Sequence, residues 1–457
     1  MFHQSTQCIS LLRQASSQIT VNVDQVYQTI DGFGFSETFQ RANQLHALSD
    51  ANQKKALDLL FNTTSGAGMT ILRNGIGSSP DSSSDHMVSI LPKKPSSPSE
   101  TPEYVWDGND NSQVWLSQQA MTYGVNTFYA DAWSAPGFMK TNGNDANGGS
   151  LCGVSGATCS SGDWLQAYAN YLVQYVKYYQ EVGVPITHLG FLNEPGLTTS
   201  YASMRSTGGQ AADFIKVLSP TLKAANLSIG IACCDAEGWS NQAAMTSQLK
   251  SAGVEPMLSV VTSHAYTSSP GSPISTTHRV WQTENADLNG SWTAAWYGSG
   301  GVGEGMTWAT NIYTALTSAN CSAYLYWVGI QGGSTNSKLI RINGADVEPS
   351  KRLWAFGQWS RFVRPGAVRV GTAGGGLGMR SSAFKNVDGS VAVQFLNSGS
   401  ATTVNIVLKG VTATAVKAWI TDNSHDLDAS PAQIATDGTL SGGVPGRSMA
   451  TFVISTL

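Results

Sequence analysis

Short apolar and β-branched runs alternate with longer amphipathic stretches from residue 30 to about residue 350. This alternation is typical of repeated βα units. The stretch 163–183 is a predicted helix because its apolar residues, Leu165, Tyr168, Leu172, Tyr175 and Tyr179, recur every three to four positions. Eight runs are predicted strands, at residues 32–39, 69–75, 126–133, 186–195, 227–234, 258–266, 279–285 and 321–328. Eight strands with intervening helices predict an α/β fold, a (β/α)8 barrel.

The pattern changes after the amphipathic stretch 351–363, where Pro365 and Gly366 interrupt the helix. The remaining chain has short alternating runs separated by Gly, Asn, Asp and Ser, which predicts an antiparallel β-sandwich. Residues 19–29 form one more predicted strand, which we expect to pair with this module. The predicted organisation is a first strand at 19–29, a barrel at 30–362 and a sandwich side domain at 363–457.

A Ser/Pro-rich insertion at residues 78–103 follows the second predicted strand. One interpretation is a mobile surface loop. The other is a wall of a ligand cleft, because the insertion leaves the carboxyl end of a barrel strand.

Composition narrows the class of ligand. The 457 residues carry a formal charge of −4, and only 12% are charged, below the roughly 25% of an average soluble domain. Nucleic acid is excluded as a partner because a basic surface is lacking, and no apolar run is long enough to span a membrane. A chain with 13 tryptophans and few charges suits a neutral polar ligand such as a carbohydrate.

The cysteines indicate an oxidising compartment. Cys152 and Cys159 flank a short Gly/Ser loop, which predicts a local disulfide, with two reduced surface thiols as the alternative. The spacing and the absence of a nearby histidine exclude a zinc site. Cys233 and Cys234 lie in an apolar run and are expected to fill core. The first 18 residues lack the basic start and apolar stretch of a signal peptide.

We therefore infer secretion to the extracellular space from the body of the chain. Four glycosylation sequons are compatible with that inference. They begin at Asn62, Asn226, Asn289 and Asn320.

Two glutamates occupy the positions at which barrel enzymes carry their catalytic groups. Glu194, in FLNEP, ends the fourth predicted strand, and Glu284, in WQTEN, ends the seventh. A single glutamate at a strand end is usually a partly solvated loop residue. Two of them, each beside an asparagine, match the pair of carboxyl groups that glycoside hydrolysis requires.

With these motifs in place, the chain resembles glycoside hydrolase family 30. The segments around FQRA and WQTEN are most similar to its fungal xylan-degrading branch. The resemblance implies a retaining (β/α)8 barrel and a β-sandwich side domain completed by the first strand. The residues that carry it are DGFGFSETFQRA (31–42), ILRNGIGSS (71–79), DAWSAPGFMK (131–140), HLGFLNEPG (188–196), VVTSHAY (260–266), WQTEN (281–285), AYLYW (323–327) and VPGRSMATFVI (444–454).

The resemblance also implies roles at the centre of the site. Glu194 would be the general acid/base, with a raised pKa, and Glu284 the ionised nucleophile, their carboxyls about 5–5.5 Å apart. Arg73 and Tyr266 would stabilise the charge of Glu284, although Arg73 could instead form a structural ion pair. Asn193 would hydrogen-bond the sugar 2-hydroxyl, unless it only caps the loop backbone.

Further residues are expected around the substrate. Trp133, Trp327 and Trp281 would present flat walls to sugar rings, or else form the upper core of the barrel. His264 would assist the acid/base group or be a core histidine. Arg41 would grip the carboxylate of a glucuronosyl side group, with a surface ion pair as the alternative.

These inferences predict a retaining endo-β-1,4-xylanase that favours glucuronoxylan. The alternatives are a family 30 enzyme for β-1,6-glucan, β-1,6-galactan or glucosylceramide, and an inactive carbohydrate-binding barrel. No cofactor or metal is expected, since Gly32 and Gly34 do not form a nucleotide-binding fingerprint. The expected partner is xylan alone, bound by a monomer. If the insertion closes one end of the cleft, short oligosaccharides would be released.

Overall fold

The computed structural model describes residues 16–83 and 85–457, which form two large β-sheets. The predictions about the first 15 residues, including Cys8, lie outside the described residues. The strands are β1 Ser16–Thr29, β2 Gly32–Ser36, β3 Ile71–Ile76, β4 Thr127–Ala132, β5 His188–Leu189, β6 Gly230–Ala236, β7 Val260–His264, β8 Arg279–Glu284, β9 Ala323–Gln331, β10 Lys338–Asn343, β11 Asp346–Pro349, β12 Val368–Gly374, β13 Met379–Lys385, β14 Val391–Asn397, β15 Thr402–Lys409, β16 Ala413–Thr421, β17 Asp426–Ser430, β18 Ala432–Ile434, β19 Leu440–Val444 and β20 Ser448–Thr456. The α-helices are α1 Arg41–His46, α2 Asp50–Phe61, α3 Gln113–Thr122, α4 Leu165–Glu181, α5 Gly208–Ala224, α6 Trp239–Ser251, α7 Gly305–Thr317 and α8 Lys351–Ser360.

Strands β2 to β9 form a closed parallel barrel, which confirms the predicted fold class. Each strand pairs with the next, and β9 pairs with both β2 and β8 to close the ring. All eight predicted strands are present. The fourth, β5, has only two residues, and beyond it Gly190 still exchanges backbone hydrogen bonds with Ala130 and Ala132 of β4. The interior is filled by buried side chains of Ile71, Tyr129, Ala232, Val260, Trp281, Ala323 and Leu325.

Helix α4 shows how the outer layer forms. Its tyrosines at 168, 175 and 179 and its Leu172 are buried, as the helical period predicts, and they pack between the barrel and the neighbouring helices. The hairpin of β10 and β11 was not predicted. Its two-residue turn is Gly344–Ala345, and Gly344 has the positive φ, 61°, that a tight hairpin with glycine at the first turn position requires. β10 pairs with the end of β9 in parallel.

The second sheet is the predicted β-sandwich, and the N-terminal strand is part of it. β1 pairs antiparallel with β12 and parallel with β15, so both ends of the chain meet in one domain. Ile19 and Val21 lie fully buried in the core of this sandwich. Helix α8 joins the two domains, and one continuous hydrophobic cluster contains barrel residues together with Met449 and Phe384 of the sandwich.

Two disulfides are present among the described residues. Cys152 and Cys159 are bonded, with their Cα atoms 5.6 Å apart, as predicted. Cys233 and Cys234 are buried in the core, as predicted, and they also form a disulfide with each other, which was not predicted. Cys321 is a free, buried thiol. In the described part of the chain, no helix has the length and apolar character needed to cross a membrane.

Candidate active site

A cleft of about 430 Å³ opens at the carboxyl ends of the barrel strands. Both candidate glutamates line it, together with aromatic residues from several different strands. Its lining consists of Phe39, Arg41, Asp85, Trp133, Glu194, Leu197, Tyr201, Glu237, Tyr266, Thr267, Glu284, Leu288, Trp327, Gln331, Thr335 and Ser337.

The backbone at the rim is shaped to direct these side chains. Glu194 has a φ of 48°, and its N–H donates to the carbonyl oxygen of Asp235 over 2.8 Å. Asp235 itself has a φ of 47° and lies where the register between β6 and β7 shifts by one residue. Left-handed conformations cost a non-glycine residue roughly 1–2 kcal/mol. Bulges and strained residues of this kind redirect side chains toward functional sites.

The two glutamates converge. A carboxylate oxygen of Glu194 lies within 4.8 Å of one of Glu284. Retaining glycosidases hold their carboxyl groups about 5–5.5 Å apart, whereas inverting enzymes need about 6.5–9.5 Å to admit a water molecule. The separation therefore fits direct attack by one carboxylate on the sugar.

Arg73 is the centre of a buried ion network. Its Nη1 donates to Glu284 Oε2 over 2.5 Å, and its Nη2 donates to Asn193 Oδ1 over 2.6 Å. The same Nη2 lies 2.8 Å from Asp131 and 2.9 Å from Asp235. Both interpretations of Arg73 thus have a physical basis, since it holds a structural ion pair and contacts the candidate nucleophile.

The two aspartates around Arg73 differ in protonation. Burial raises the pKa of Asp131 well above its ordinary value, and the negative charge of Asp235 raises it further. The positive charge of Arg73 acts to lower this pKa but does not outweigh them. Burial also acts to raise the pKa of Asp235, but Arg73 and His264 hold it below its ordinary value. One proton on this pair lowers the negative charge that Arg73 must balance.

Glu284 receives a donor on each oxygen. Tyr266 donates its hydroxyl to Oε1 over 2.9 Å, opposite the Arg73 contact on Oε2. Burial raises the pKa of Glu284, while the positive charges of His264 and Arg73 act to lower it and Glu194 to raise it. Donors on both oxygens favour the anion that a nucleophile requires.

His264 links the two glutamates. Its Nδ1 lies 3.2 Å from Glu194 Oε1, and its Nε2 lies 3.8 Å from both Glu284 and Asp235. Burial acts to lower the pKa of His264, but the carboxylates of Glu284, Asp235 and Glu194 raise it to about 10. The ring is therefore a cation at neutral pH, and it joins the acid/base network rather than the apolar core.

Glu194, His264 and Glu284 place one ligand atom each within 4.8 Å of one another, which is compatible in distance with a bound metal ion. A metal needs a neutral imidazole, whereas this histidine is protonated, and the guanidinium of Arg73 contacts Glu284. The donor set therefore fits proton transfer better than metal binding.

One wall of the cleft is aromatic. Trp133 and Trp327 have their ring centroids 6.0 Å apart, and Phe39 lies against both. The guanidinium of Arg73 stacks over Trp133 at 4.5 Å, and that of Arg41 over Trp327 at 5.4 Å. Two of the three predicted tryptophans thus line the cleft.

The prediction that Trp281 forms a wall of the cleft was wrong, because this residue lies at the opposite end of the barrel. It is the third residue of β8, its indole donates to Asp31 over 2.8 Å, and its ring packs on His188. Asp31 precedes the first barrel strand, so this is the amino-terminal end. Trp281 cannot contact a substrate in the cleft.

The insertion at 78–103 forms part of the cleft wall. Asp85 lines the cleft and pairs with Arg41 at 3.0 Å. Met87 packs in the same buried cluster as Phe39 and Trp133. The insertion therefore belongs to the site, as the second interpretation predicted.

Three acidic residues of the site near strand ends were missed, as was Asp85 in the insertion. Asp131 lies near the end of the third predicted strand, and Asp235 and Glu237 follow the fifth. The rule that selected Glu194 and Glu284, a carboxylate at the carboxyl end of a barrel strand, also applies to these three. They were overlooked because their neighbouring residues match no motif of the catalytic pair.

A closed (β/α)8 barrel with two convergent glutamates on its fourth and seventh strands defines the class of retaining glycoside hydrolases. Residues 16–272 match the model of O-glycosyl hydrolase family 30, and residues 366–452 match that of the glycosyl hydrolase family 30 β-sandwich domain. The chain belongs to glycoside hydrolase family 30.

Relatives in this family have different named substrates. The catalytic domain of the GH30 xylanase C from Talaromyces cellulolyticus is 49% identical, with a TM-score of 0.91, covering 96% of this chain and 100% of that one. Endo-1,6-β-D-glucanase BGN16.3 of Trichoderma harzianum is 26% identical over 81% of this chain and 78% of that protein. Glucuronoxylanase XynC of Bacillus subtilis is 28% identical over 38% of this chain and 39% of that protein.

Proposed function

We propose that this protein is a retaining endo-β-1,4-xylanase that acts on glucuronoxylan. The observation that carries the proposal is the 49% identity over 96% of the chain to a family 30 xylanase. The 26% identity to an endo-1,6-β-glucanase is much lower. The aromatic wall formed by Trp133 and Trp327 is also suited to the C–H faces of pyranose rings.

In the first step of the proposed reaction, a carboxylate oxygen of Glu284 attacks the anomeric carbon. The bond from that carbon to the glycosidic oxygen breaks, and Glu194 donates its proton to the departing oxygen. A covalent ester between Glu284 and the glycone results. His264 then faces an ionised Glu194 and stabilises it, since its Nδ1 lies 3.2 Å from that carboxylate.

In the second step, Glu194 removes a proton from water, and the resulting oxygen attacks the same anomeric carbon. The ester bond breaks, Glu284 is restored, and the anomeric configuration is retained. Asn193 has its carbonyl oxygen engaged by Arg73, so its amide nitrogen is the end available to the sugar 2-hydroxyl. Arg73 therefore orients Asn193 as well as the nucleophile.

The preference for glucuronosyl groups rests on Arg41. Its Nη1 contacts Asp85 at 3.0 Å and its guanidinium stacks on Trp327 at the cleft wall. A carboxylate on the substrate would take the place of Asp85 and form a charge-assisted pair of hydrogen bonds. Arg41 would thus pair with Asp85 in the free enzyme and with the substrate carboxylate in the complex.

Hydrolysis of β-1,6-glucan is the second candidate, because a curated endo-1,6-β-D-glucanase aligns over 81% of the chain. Both candidates use the same two glutamates, so they differ only in the sugar and the linkage. The substrate itself must distinguish them.

Product analysis on a substrate panel tests the proposal. Glucuronoxylan, linear β-1,4-xylan and β-1,6-glucan are each digested, and the products are identified by mass spectrometry and anion-exchange chromatography. We expect acidic xylo-oligosaccharides from the first substrate, slower release of neutral ones from the second and no glucose or gluco-oligosaccharide from the third. Release of β-1,6-linked gluco-oligosaccharides without cleavage of either xylan would overturn the proposal.

We also propose that the enzyme acts outside the cell as a monomer. The two disulfides support an oxidising environment. Light scattering of the purified protein, compared with the 48.3 kDa of one chain, tests the oligomeric state.

A further inference from the structure

Two oppositely charged side chains lie on opposite sides of the barrel mouth. The ring contains eight strands, and β2 and β6 are four positions apart in it. Arg41 follows β2 and Glu237 follows β6, and both line the cleft. A substrate that crosses the mouth from one side to the other therefore meets a cation at one end and an anion at the other.

Glu237 differs from the other carboxylates of the site because it lacks a cationic partner. Asp131 and Asp235 contact Arg73, and Asp85 contacts Arg41. Among the described residues, no Lys, Arg or His nitrogen lies within 4.0 Å of the Glu237 carboxylate. Within the part of the chain that the structure describes, its one side-chain hydrogen bond comes from Asn241, which donates to Oε1.

The carboxylate of Glu237 is fixed beside the acid/base loop. A Cβ at Gly196 would lie only 2.3 Å from Glu237 Oε1, so the carboxylate lies directly against the backbone of Gly196. Gly196 is two residues beyond Glu194. The N–H groups of Tyr266 and Thr267 both donate to the backbone carbonyl of Glu237 over 3.1 Å, which holds the segment against the next strand.

The position of Glu194 indicates which side of the cleft would hold the leaving part of the substrate and which side the part that becomes bonded to Glu284. The proton donor must lie at the glycosidic oxygen, and the leaving part of the chain, the aglycone, extends away from that oxygen. The segment with Glu237 adjoins Glu194, because the Glu194 N–H donates to the carbonyl oxygen of Asp235 and Gly196 follows Glu194 by two residues. We therefore expect the aglycone on this side, and the glycone, which becomes bonded to Glu284, on the opposite side with Arg41.

We infer that Glu237 excludes acidic side groups from the aglycone side of the cleft. The inference rests on the proposed function, since it concerns the branches of glucuronoxylan. A glucuronosyl carboxylate beside Glu237 would meet an unpaired like charge in a partly desolvated wall, and such contacts strongly disfavour binding. An unbranched xylose there carries only hydroxyl groups, which can donate to the free carboxylate oxygen. Acidic branches are therefore accepted on the glycone side only.

The test is the position of the acidic branch in the products of glucuronoxylan digestion. In wild-type digests, the branch is expected only in the part that carries the new reducing end, and the xylose at the new non-reducing end should be unbranched. Glu237→Gln removes the charge but keeps an oxygen that can accept from Asn241. We expect this variant to increase products branched at the new non-reducing end about tenfold relative to unbranched ones.

Asp85→Asn is the matched control, because it also removes one negative charge from the cleft, but on the glycone side. It should not increase products branched at the new non-reducing end. A second measurement needs no variant. Raising the salt concentration from 0.1 to 1 M shortens the screening length from about 10 to about 3 Å, and should move the wild-type products toward those of Glu237→Gln.

The outcomes separate the two proposals. Wild-type protein that does not hydrolyse neutral xylo-oligosaccharides would overturn the proposed function, and this inference with it. Wild-type hydrolysis of those substrates, with the same branch positions in wild type and in a Glu237→Gln variant of unchanged melting temperature, would overturn the role of Glu237 alone. A digest in which Asp85→Asn has the same effect as Glu237→Gln would also overturn it.

Discussion

The proposed mechanism gives Glu284 and Glu194 different tasks, although both are buried glutamates at the same cleft. Glu284 is surrounded by donors from Arg73 and Tyr266, whereas Glu194 contacts the cationic ring of His264. Donors on both oxygens suit a nucleophile, whereas the proposed task of Glu194 is to transfer the proton of the glycosidic oxygen. A substrate whose leaving group needs no proton separates these tasks.

We predict that Glu194→Gln lowers the rate on xylan about 10²–10⁴-fold, the usual contribution of general acid catalysis. The nitrophenolate leaving group of an aryl β-xylobioside needs no proton. The initial burst of nitrophenolate from this substrate should therefore be much less affected. Glu284→Gln should abolish turnover of both substrates. Stopped-flow absorbance measures the burst, and xylanase activity in Glu284→Gln would contradict the assignment.

Arg41 and Asp85 form an ion pair, and substitutions of the two residues should have opposite effects on the preference for glucuronosylated substrates. Arg41→Ala should lower the ratio of kcat/KM on glucuronosylated to kcat/KM on linear xylo-oligosaccharides about tenfold, because a charge-assisted contact is lost. Asp85→Asn should raise that ratio, because the guanidinium no longer has a competing carboxylate. The same direction of change in both variants would reject the binding role of Arg41.

The buried charge of His264 predicts a pH dependence of stability. The pKa of His264 in the folded state is about 10, against an ordinary value of 6.5. Its contribution is complete below about pH 6.5 and is lost as the pH rises toward 10. The difference in unfolding free energy between wild type and His264→Gln should therefore shrink by about 1 kcal/mol per pH unit between pH 7 and 9.5.

The comparison with a variant is necessary because Lys140 titrates in the same range with the opposite sign. Burial lowers the pKa of Lys140 to about 7, so its contribution to stability rises with pH. That contribution is common to both proteins and cancels in the difference, which urea denaturation at several pH values measures. A difference that stays constant over the range would contradict a charged His264.

At the scale of elements, β1 shows how one strand ties the chain ends together. It inserts between β12 and β15, and its inward side chains complete the sandwich core. We predict that Ile19→Ala lowers the free energy of unfolding by about 2–5 kcal/mol, because Ile19 is fully buried. Val26, on the same strand, is 63% exposed, so Val26→Ala should change the free energy of unfolding by less than about 0.5 kcal/mol. Equal effects in chemical denaturation would contradict the pairing of β1.

At the scale of the whole molecule, the barrel and the sandwich share one core. Gln358 of α8 donates to Thr421 over 2.8 Å and accepts from Thr451 over 2.5 Å, both in the sandwich and both buried. We predict a single calorimetric transition, and a lower melting temperature in Gln358→Ala, because Thr451 loses a buried partner. Leu377→Ala, at a fully exposed site of the sandwich, is the control and should have the melting temperature of the wild type. Two separate transitions would contradict a shared core.

Much of this architecture follows from the amino-acid sequence alone. The eight barrel strands and helix α4 were predicted from local periodicity, since the alternation of apolar and polar side chains is set by each element's own geometry. Glu194 and Glu284 could be selected because strand ends are visible in the chain. Their convergence needed only the topology of a closed parallel barrel.

Depth within the barrel and the direction of each side chain were decided by the tertiary structure. Trp281 lies only three residues before Glu284, yet it lies near the other end of the barrel, because each strand residue adds about 3.3 Å. Ala232 faces the barrel interior, and strict alternation would turn Asp235 outward, but the register shift at this residue turns it toward Arg73. No local pattern marks such a bulge, because it arises from the pairing of β6 with β7. The ion network around Arg73 depends on that pairing.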